Sequence, residues 1–127
     1  MAQPRLFLDT AYIYALFNTR DQWHEKAVEW EETLEADNRP LVTTQLVLVE
    51  IGNGMSSLRF RQKDVSIINN LQANPLVDVI SVTPDAFARA FELFEQRPDK
   101  DWGLGDCFSF VTMQDNGIID ALTTDDN

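Results

Sequence analysis

A chain of 127 residues with 44% hydrophobic content, eight Phe and three Trp fits one domain with a real core and is too apolar for disorder. Its 21 Asp and Glu against 10 Lys and Arg, a net charge of −11, argue against tight phosphate-driven affinity from a lone monomer. A basic protein partner, a metal-loaded acidic cleft, or both fit that balance, although acidic surfaces also simply aid solubility.

No apolar run approaches the roughly 18 residues of a membrane span, and Arg5 ahead of a very short apolar run makes no signal peptide. A soluble, cytoplasmic protein is therefore expected. The single cysteine, Cys107, excludes an internal disulfide and a cysteine-based zinc site, which leaves oxygen to hold any metal.

In RLFLDT, Arg5 to Thr10, three apolar residues run into Asp9. This pattern predicts a buried parallel strand whose last residue emerges at the carboxyl end, the edge where open α/β sheets build their sites. TAYIYALFN follows with apolar residues on all sides, a short buried helix with Thr10 as its hydroxyl cap. From Asp21 to Asp37, Trp23, Ala27, Trp30 and Leu34 form one stripe, with Glu25, Glu29, Glu31, Glu32 and Glu35 largely off it. That is an amphipathic helix with an acidic solvent face. His24, the only histidine, has no Cys or second His nearby and reads as a surface or structural residue rather than a ligand.

Asn38-Arg39-Pro40 breaks this helix, and LVTT from Leu41 is a second strand. Thr44 caps a third helix running from about Gln45 to Phe60. There Leu46, Val47, Ile51 and Gly54 flank Glu50 at i−4, i−3, i+1 and i+4, so Glu50 lies on or beside the apolar face. A carboxylate so placed is costly unless paired, hydrogen-bonded or bound to a cation; at the edge of the stripe it can instead bend out to water. A polar helix from about Gln62 to Ala73 ends before Pro75, and VDVISV from Val77 is a third strand.

Thr83-Pro84-Asp85 starts a further helix, with an N-cap hydroxyl, Pro at the first position and an acid in the first turn. Phe87, Ala90, Phe91 and Phe94 are expected to be its buried stripe. Gly103-Leu104-Gly105 leads into DCFSFVTMQDNG, a last helix with Asp106 in its first turn and Gly117 at its stop. An Asp in that position is often only a dipole partner or cap. A fourth strand, Ile118 to Leu122, is followed by Asp125 and Asp126. Strands alternating with helices predict a single three-layer α/β/α domain whose sheet is mostly parallel, with four or five strands.

Asp9, Glu50, Asp106 and a carboxylate from the end of the fourth strand, Asp125 or Asp126, thus fall on one rim of the expected sheet. Carboxylates packed within a few ångströms repel by roughly 4 kcal/mol per pair at an effective dielectric of 20, which calls for a divalent cation. All-oxygen ligation points to one or two ions of Mg²⁺ or Mn²⁺, and two such ions can activate water and stabilise the leaving oxygen in phosphodiester hydrolysis.

In order and spacing, LDTA at Leu8, VEIGN at Val49, DWGLGDC at Asp101 and ALTTD at Ala121 resemble the four acidic motifs of PIN-domain ribonucleases, most closely the small VapC-type toxins of toxin-antitoxin systems. The resemblance covers nearly the whole chain, so residues 1–127 are expected to form one PIN-like nuclease domain. It implies that Asp9, Glu50, Asp106 and Asp125 are the catalytic, metal-binding acids, with Asp101 and Asp126 as further carboxylates near the rim and Thr10, Asn53 and Thr124 in support. It also implies a magnesium- or manganese-dependent endoribonuclease that cleaves single-stranded RNA with metal-activated water. A small basic antitoxin and a homodimer belong to the same expectation.

Such toxins commonly continue past the fourth acid with a basic or His residue, an aromatic and a closing strand. Here the sequence stops at Asn127, so either the chain is truncated or that end of the family pattern is missing. A ribonuclease of this charge needs its metals, a local basic strip such as Arg59, Arg61 and Lys63, or a narrow choice of substrate. Two rival readings fit less well. A haloacid-dehalogenase-like phosphatase also begins at a strand-end Asp but uses a second Asp two residues on, where this chain has Ala11. A non-catalytic PIN-like binding module would be marked by loss of an acid, and all four positions are filled.

Overall fold

In the computed structural model, residues 3–54 and 57–123 are described. β1 (Leu6–Leu8) leads into α1 (Thr10–Phe17), and α2 (His24–Asp37) precedes β2 (Leu41–Thr44). Next come α3 (Gln45–Gly54), α4 (Arg61–Ala73), β3 (Val77–Ile80), α5 (Pro84–Gln96), α6 (Leu104–Asp115) and β4 (Asp120–Leu122). The described strands form one four-stranded, all-parallel sheet in the order β3-β2-β1-β4, and the fold is three-layer α/β/α. No helix among the described residues is long and apolar enough to cross a membrane.

The register places Leu6 beside Leu41 on one side and Asp120 on the other, and Leu8 beside Leu122. The chain builds outward from β1 through β2 to β3 and then returns to lay β4 on the opposite flank of β1. The gap between β1 and β4 is therefore the topological switch point, where an open α/β sheet leaves a crevice outside its carboxyl ends.

Two apolar clusters hold the layers. The larger joins β1 and β2, through Leu6, Phe7, Leu8 and Val42, to Tyr12, Ile13, Ala27, Leu34, Val47, Ile51 and Ile67 of α1 to α4. The smaller packs Ala90 of α5 against Cys107, Phe108 and Val111 of α6, with Leu46 of α3 at its margin. Cys107 is a free, buried thiol. Local signals set the boundaries: the Thr83 hydroxyl accepts from Ala86 N–H at 3.1 Å, and Thr44 accepts from Val47 N–H at 3.1 Å. Gly117, at φ +64°, ends α6 in the left-handed conformation that glycine adopts without strain.

Several expectations are corrected. Phe87, Phe91 and Phe94 are not core: they are 49%, 44% and 43% exposed. Ala90 is buried as expected, but it is joined on the inner face of α5 by Ala86 and Leu93 against α6, and at about 100° per residue the phenylalanines lie about a quarter turn away. Helix α5 touches the rest of the molecule along too narrow a line to cover both stripes. On α2, Ala27 and Leu34 are buried but Trp23 and Trp30 are exposed, while Glu31, expected in solvent, turns inward to accept the Tyr12 hydroxyl at 3.0 Å. Thr10 does not cap α1: Asp9 is the N-cap and Thr10 the first helical residue. Helix α3 is described over Gln45–Gly54 and does not reach Phe60, since Ser57 to Phe60 form a bend and turn, and β4 begins at Asp120 rather than Ile118. His24 is structural, its Nδ1 lying 2.8 Å from the Ala15 carbonyl.

Candidate active site at the switch point

Asp9 emerges from β1 with an extended backbone, φ −90° and ψ 156°. Its N–H still donates to Leu122 O of β4 at 3.1 Å, while its C=O accepts from Ile13 N–H at 3.3 Å. One residue therefore closes the strand pairing and opens the helix, which fixes where its side chain points. The fully buried Thr43 hydroxyl donates to Leu8 O at 3.0 Å, holding the end of β1 from the other flank. Across the switch point, Thr123 Oγ1 donates to Asp9 Oδ2 at 2.8 Å.

Glu50 reaches the same rim from α3, half-buried between α1 and α6. A methyl group added at Gly105, in the first turn of α6, would stand 3.0 Å from Glu50 Oε1, tighter than an ordinary contact, so glycine lets that turn approach the carboxylate without displacing it. Asp106 follows at once, its Oδ2 accepting from Gly103 N–H at 2.9 Å. Burial raises the Glu50 carboxyl above the usual carboxylate range, and the charges of Asp9 and Asp106 raise it further. Three acids from three separate elements thus share one electrostatic neighbourhood. The N-termini of α1 and α6 meet there as well, and their dipoles offset part of the repulsion.

The Thr10 hydroxyl is buried without a hydrogen-bond partner of good geometry, although it lies close enough to Glu50 to favour the ionised carboxylate. A buried hydroxyl oxygen with bonding capacity to spare, beside converging acids, fits the donor set of a cation site. The donor set, all carboxylate and hydroxyl oxygen, suits Mg²⁺ or Mn²⁺. Among the described residues no three Asp, Glu, His or Cys side chains stand at the spacing of a shared ion; Asp9 is held toward Thr123 and Asp106 toward Gly103. A carboxylate offers about four lone-pair sites, so neither hydrogen bond exhausts its capacity for a cation.

The expected fourth acid, Asp125, lies outside the described residues, as do Thr124 and Asp126. Asp101 is exposed in the connection before α6 and does not line the cleft; Asn53 is exposed on the last turn of α3. Beside Asp9 and Asp106 opens a cleft of about 400 Å³ walled by Phe7, Trp102, Phe110 and Met113. Sequence reasoning overlooked Trp102, although it stands inside the DWGLGDC motif. Its ring meets Phe110 edge-on at 4.9 Å, and the Arg97 and Lys100 cations lie 5.3 and 5.8 Å from its centre. An aromatic wall with cations beside an acidic centre can stack a base and steady a phosphate.

The PIN domain family's sequence profile matches residues 6–127. Among solved structures, VapC20 of Mycobacterium tuberculosis, described as a sarcin-ricin loop cleaving toxin, is similar at 26% identity and a TM-score of 0.81, over 94% of this chain and 89% of that one. A toxin-antitoxin complex from Klebsiella pneumoniae shares the fold at 18% identity and a TM-score of 0.65, over 94% and 86% of the two chains. So does VapBC2 from Rickettsia felis, bound to a DNA fragment from their promoter, at 15% identity and a TM-score of 0.69 over 95% and 87%. Among curated proteins no sequence matches. With acids converging at the switch point of a parallel sheet and a family match over nearly its whole length, this chain belongs to the PIN domain family and has the architecture of the VapC-type toxins.

Proposed function

We propose that this chain is a divalent-metal-dependent endoribonuclease that hydrolyses single-stranded RNA and serves as the toxin of a toxin-antitoxin pair. One observation carries the reading. Asp9, Glu50 and Asp106 arrive from three elements at one crevice, where the Glu50 carboxyl is driven upward by burial and by its two acidic neighbours, a repulsion that a bound cation relieves. Asp9, Glu50, Asp106 and Asp125 would hold the metal, with Thr10 and Thr124 in support, over a single domain spanning 1–127. When bound, Mg²⁺ or Mn²⁺ lowers the pKa of water and offsets charge on the scissile phosphate.

The remaining chemistry falls to the protein. Cys107 is fully buried, His24 is bound to the Ala15 carbonyl, and the Ser109 hydroxyl is donated to Gly105 O at 3.2 Å. Ser109 lines the cleft, but its hydroxyl proton goes to a backbone carbonyl and not to a base; in this reading water is therefore the nucleophile and the products carry a 5′-phosphate and a 3′-hydroxyl. The cleft beside Trp102 positions the nucleotide next to the acids. The solvent face of α2, rich in Glu, supports a basic antitoxin as partner, because such a face attracts and speeds the encounter of a basic chain. A homodimer, part of the same reading, would bury the exposed Phe87, Phe91 and Phe94 face of α5.

Cleavage of end-labelled single-stranded RNA tests the nuclease. We expect products with 5′-phosphate ends, complete dependence on Mg²⁺ or Mn²⁺, and loss of cleavage in Asp106→Asn with little change in melting temperature. The Asn keeps an oxygen for Gly103 N–H and removes one like charge. Ends carrying a 2′,3′-cyclic phosphate, or undiminished activity in EDTA, would refute it.

A further inference from the structure

We propose that the cleft between the C-terminal end of α1 and the start of α4 is a binding track for the sugar-phosphate backbone of single-stranded RNA, leading to the acidic crevice. The identity of the strand rests on the nuclease reading; the track itself rests on the cleft. With a volume of about 680 Å³, it is lined by Arg20, Arg59 and Lys63 together with Phe17, Phe60 and Tyr14. Three of the ten Lys and Arg of a chain at −11 thus converge on one depression, and one of them comes from a segment far away in sequence.

All three are exposed, and among the described residues none of them is in an ion pair. This contrasts with Arg89, bound to Asp85 and Asp115, and with Arg97, bound to Asp99. Lys63 Nζ donates to the Phe17 carbonyl at 2.9 Å, which aims it along the cleft, and the Arg59 guanidinium lies 5.3 Å from the centre of the Phe60 ring. The one acid on the lining, Asp21, uses Oδ1 to accept Trp23 N–H at 2.8 Å. Arg61, which a purely sequential strip would include, does not line the cleft; its charge bears on the buried Asp64.

Position ties the cleft to the acids. The Tyr14 hydroxyl lines it and donates to Glu50 O at 2.6 Å. Along α1, Asp9 and Thr10 stand at one end and Phe17 at the other, about 10 Å away at 1.5 Å per residue. Cations interleaved with aromatic faces are what a groove following a single strand needs, the cations for phosphates and the rings for bases. A basic antitoxin would be repelled by the same three cations, so the charge favours RNA over that partner here.

The test uses the full chain carrying Asp106→Asn, so that RNA is bound and not cut, with fluorescence anisotropy of a fluorescein-labelled single-stranded RNA of mixed sequence. Adding Arg20→Gln, Arg59→Gln and Lys63→Gln should raise Kd at least about tenfold. It should also flatten the dependence of log Kd on log salt by about 2, at about 0.7 per lost phosphate contact on a single strand. Melting temperature should not move, since all three positions are exposed. An unchanged Kd and salt slope overturns the proposal, as does an Asp106→Asn chain that binds no RNA, or a triple variant that loses only a protein partner. Failure of the nuclease reading looks different: RNA bound through these residues by a wild-type chain that never cleaves it.

Discussion

Replacing Gly105 by alanine separates what the first turn of α6 does for stability from what it does for the site. The backbone there is helical and has no positive φ, so alanine adds only a methyl group, 3.0 Å from Glu50 Oε1 and 3.5 Å from its Cδ. The contact with Oε1 is a few tenths of an ångström too short, while that with Cδ is ordinary, so the carboxylate oxygen must swing aside. Holding it off its preferred rotamer costs about 0.5–1.5 kcal/mol. Against that, alanine favours a helix over glycine by up to about 1 kcal/mol. The two nearly cancel, and at about 2–8 °C per kcal/mol for small domains the melting temperature should shift by less than about 5 °C. Activity has no such compensation. A misplacement of 1 Å can cost about 100-fold, so roughly half of that makes about a tenfold loss in kcat/KM the expected result, with a raised half-saturating Mg²⁺ concentration. Calorimetry, steady-state cleavage and metal titration on one preparation read all three. A Gly105→Ala protein with full activity and unchanged metal dependence would show that Glu50 is not part of the reacting centre.

Glu31 gives a prediction away from the site. Burial raises its carboxyl above the usual range, with a further push from Glu35, while the Tyr12 hydroxyl bond pulls it down. An acid with a raised folded-state pKa contributes stability that is complete below its unfolded value and is lost as pH rises through the folded value. Glu31→Gln keeps an acceptor for Tyr12 and removes that titration, so its melting temperature relative to wild type should climb from acid to neutral pH; a flat difference would refute the assignment. Phe91→Glu, at the middle of the stacked face of α5, should turn a dimer into a monomer in sedimentation at unchanged melting temperature, and should leave capture of the adjacent reading frame's product intact. A wild-type chain that sediments as a monomer and co-purifies with no small basic companion would dispose of both assembly claims.

How far the sequence reaches depends on whether position is set locally or by packing. Asp9 was legible because a three-residue apolar strand can end in only one place, and Asp106 because Gly103 and Gly105 fix a helix start. Glu50 was legible only as a choice between a bound carboxylate and one bent to water; α6 approaches it closely at Gly105 and leaves it half-buried, and nothing local to α3 announces that approach. The α5 phenylalanines failed for a related reason. Ala86, Phe87, Ala90, Phe91, Leu93 and Phe94 make one broad apolar arc, and which half is covered depends on α6, whose facing residues pack on the alanines. Trp102 was hidden by its neighbours in the motif, since acids drew the attention that its place on the cleft wall warrants. Arg20 could not be joined to Arg59 and Lys63 without knowing that the end of α1 folds back over the start of α4.

Net charge is therefore a poor guide to what this surface can hold. Setting aside Asp9, Glu50, Asp101, Asp106, Asp125 and Asp126 leaves a balance of −5, and much of that remainder lies on α2, which is rich in Glu and poor in Lys and Arg. At physiological salt the Debye length is about 8 Å, so charges on a distant face are largely screened. A phosphate at the mouth of the α1–α4 cleft feels chiefly Arg20, Arg59 and Lys63. One helix length further on, at the carboxyl ends of β1 and β4, the strand of the proposed reading would meet a field of the opposite sign, which would repel it until a divalent cation is bound. On the proposed reading, binding of the strand near the track and its entry into the acidic crevice would therefore have different requirements: the first would depend on salt, the second on metal. A chain built this way can hold RNA without cutting it when magnesium is withdrawn, and salt dependence of binding should persist in EDTA after cleavage has ceased.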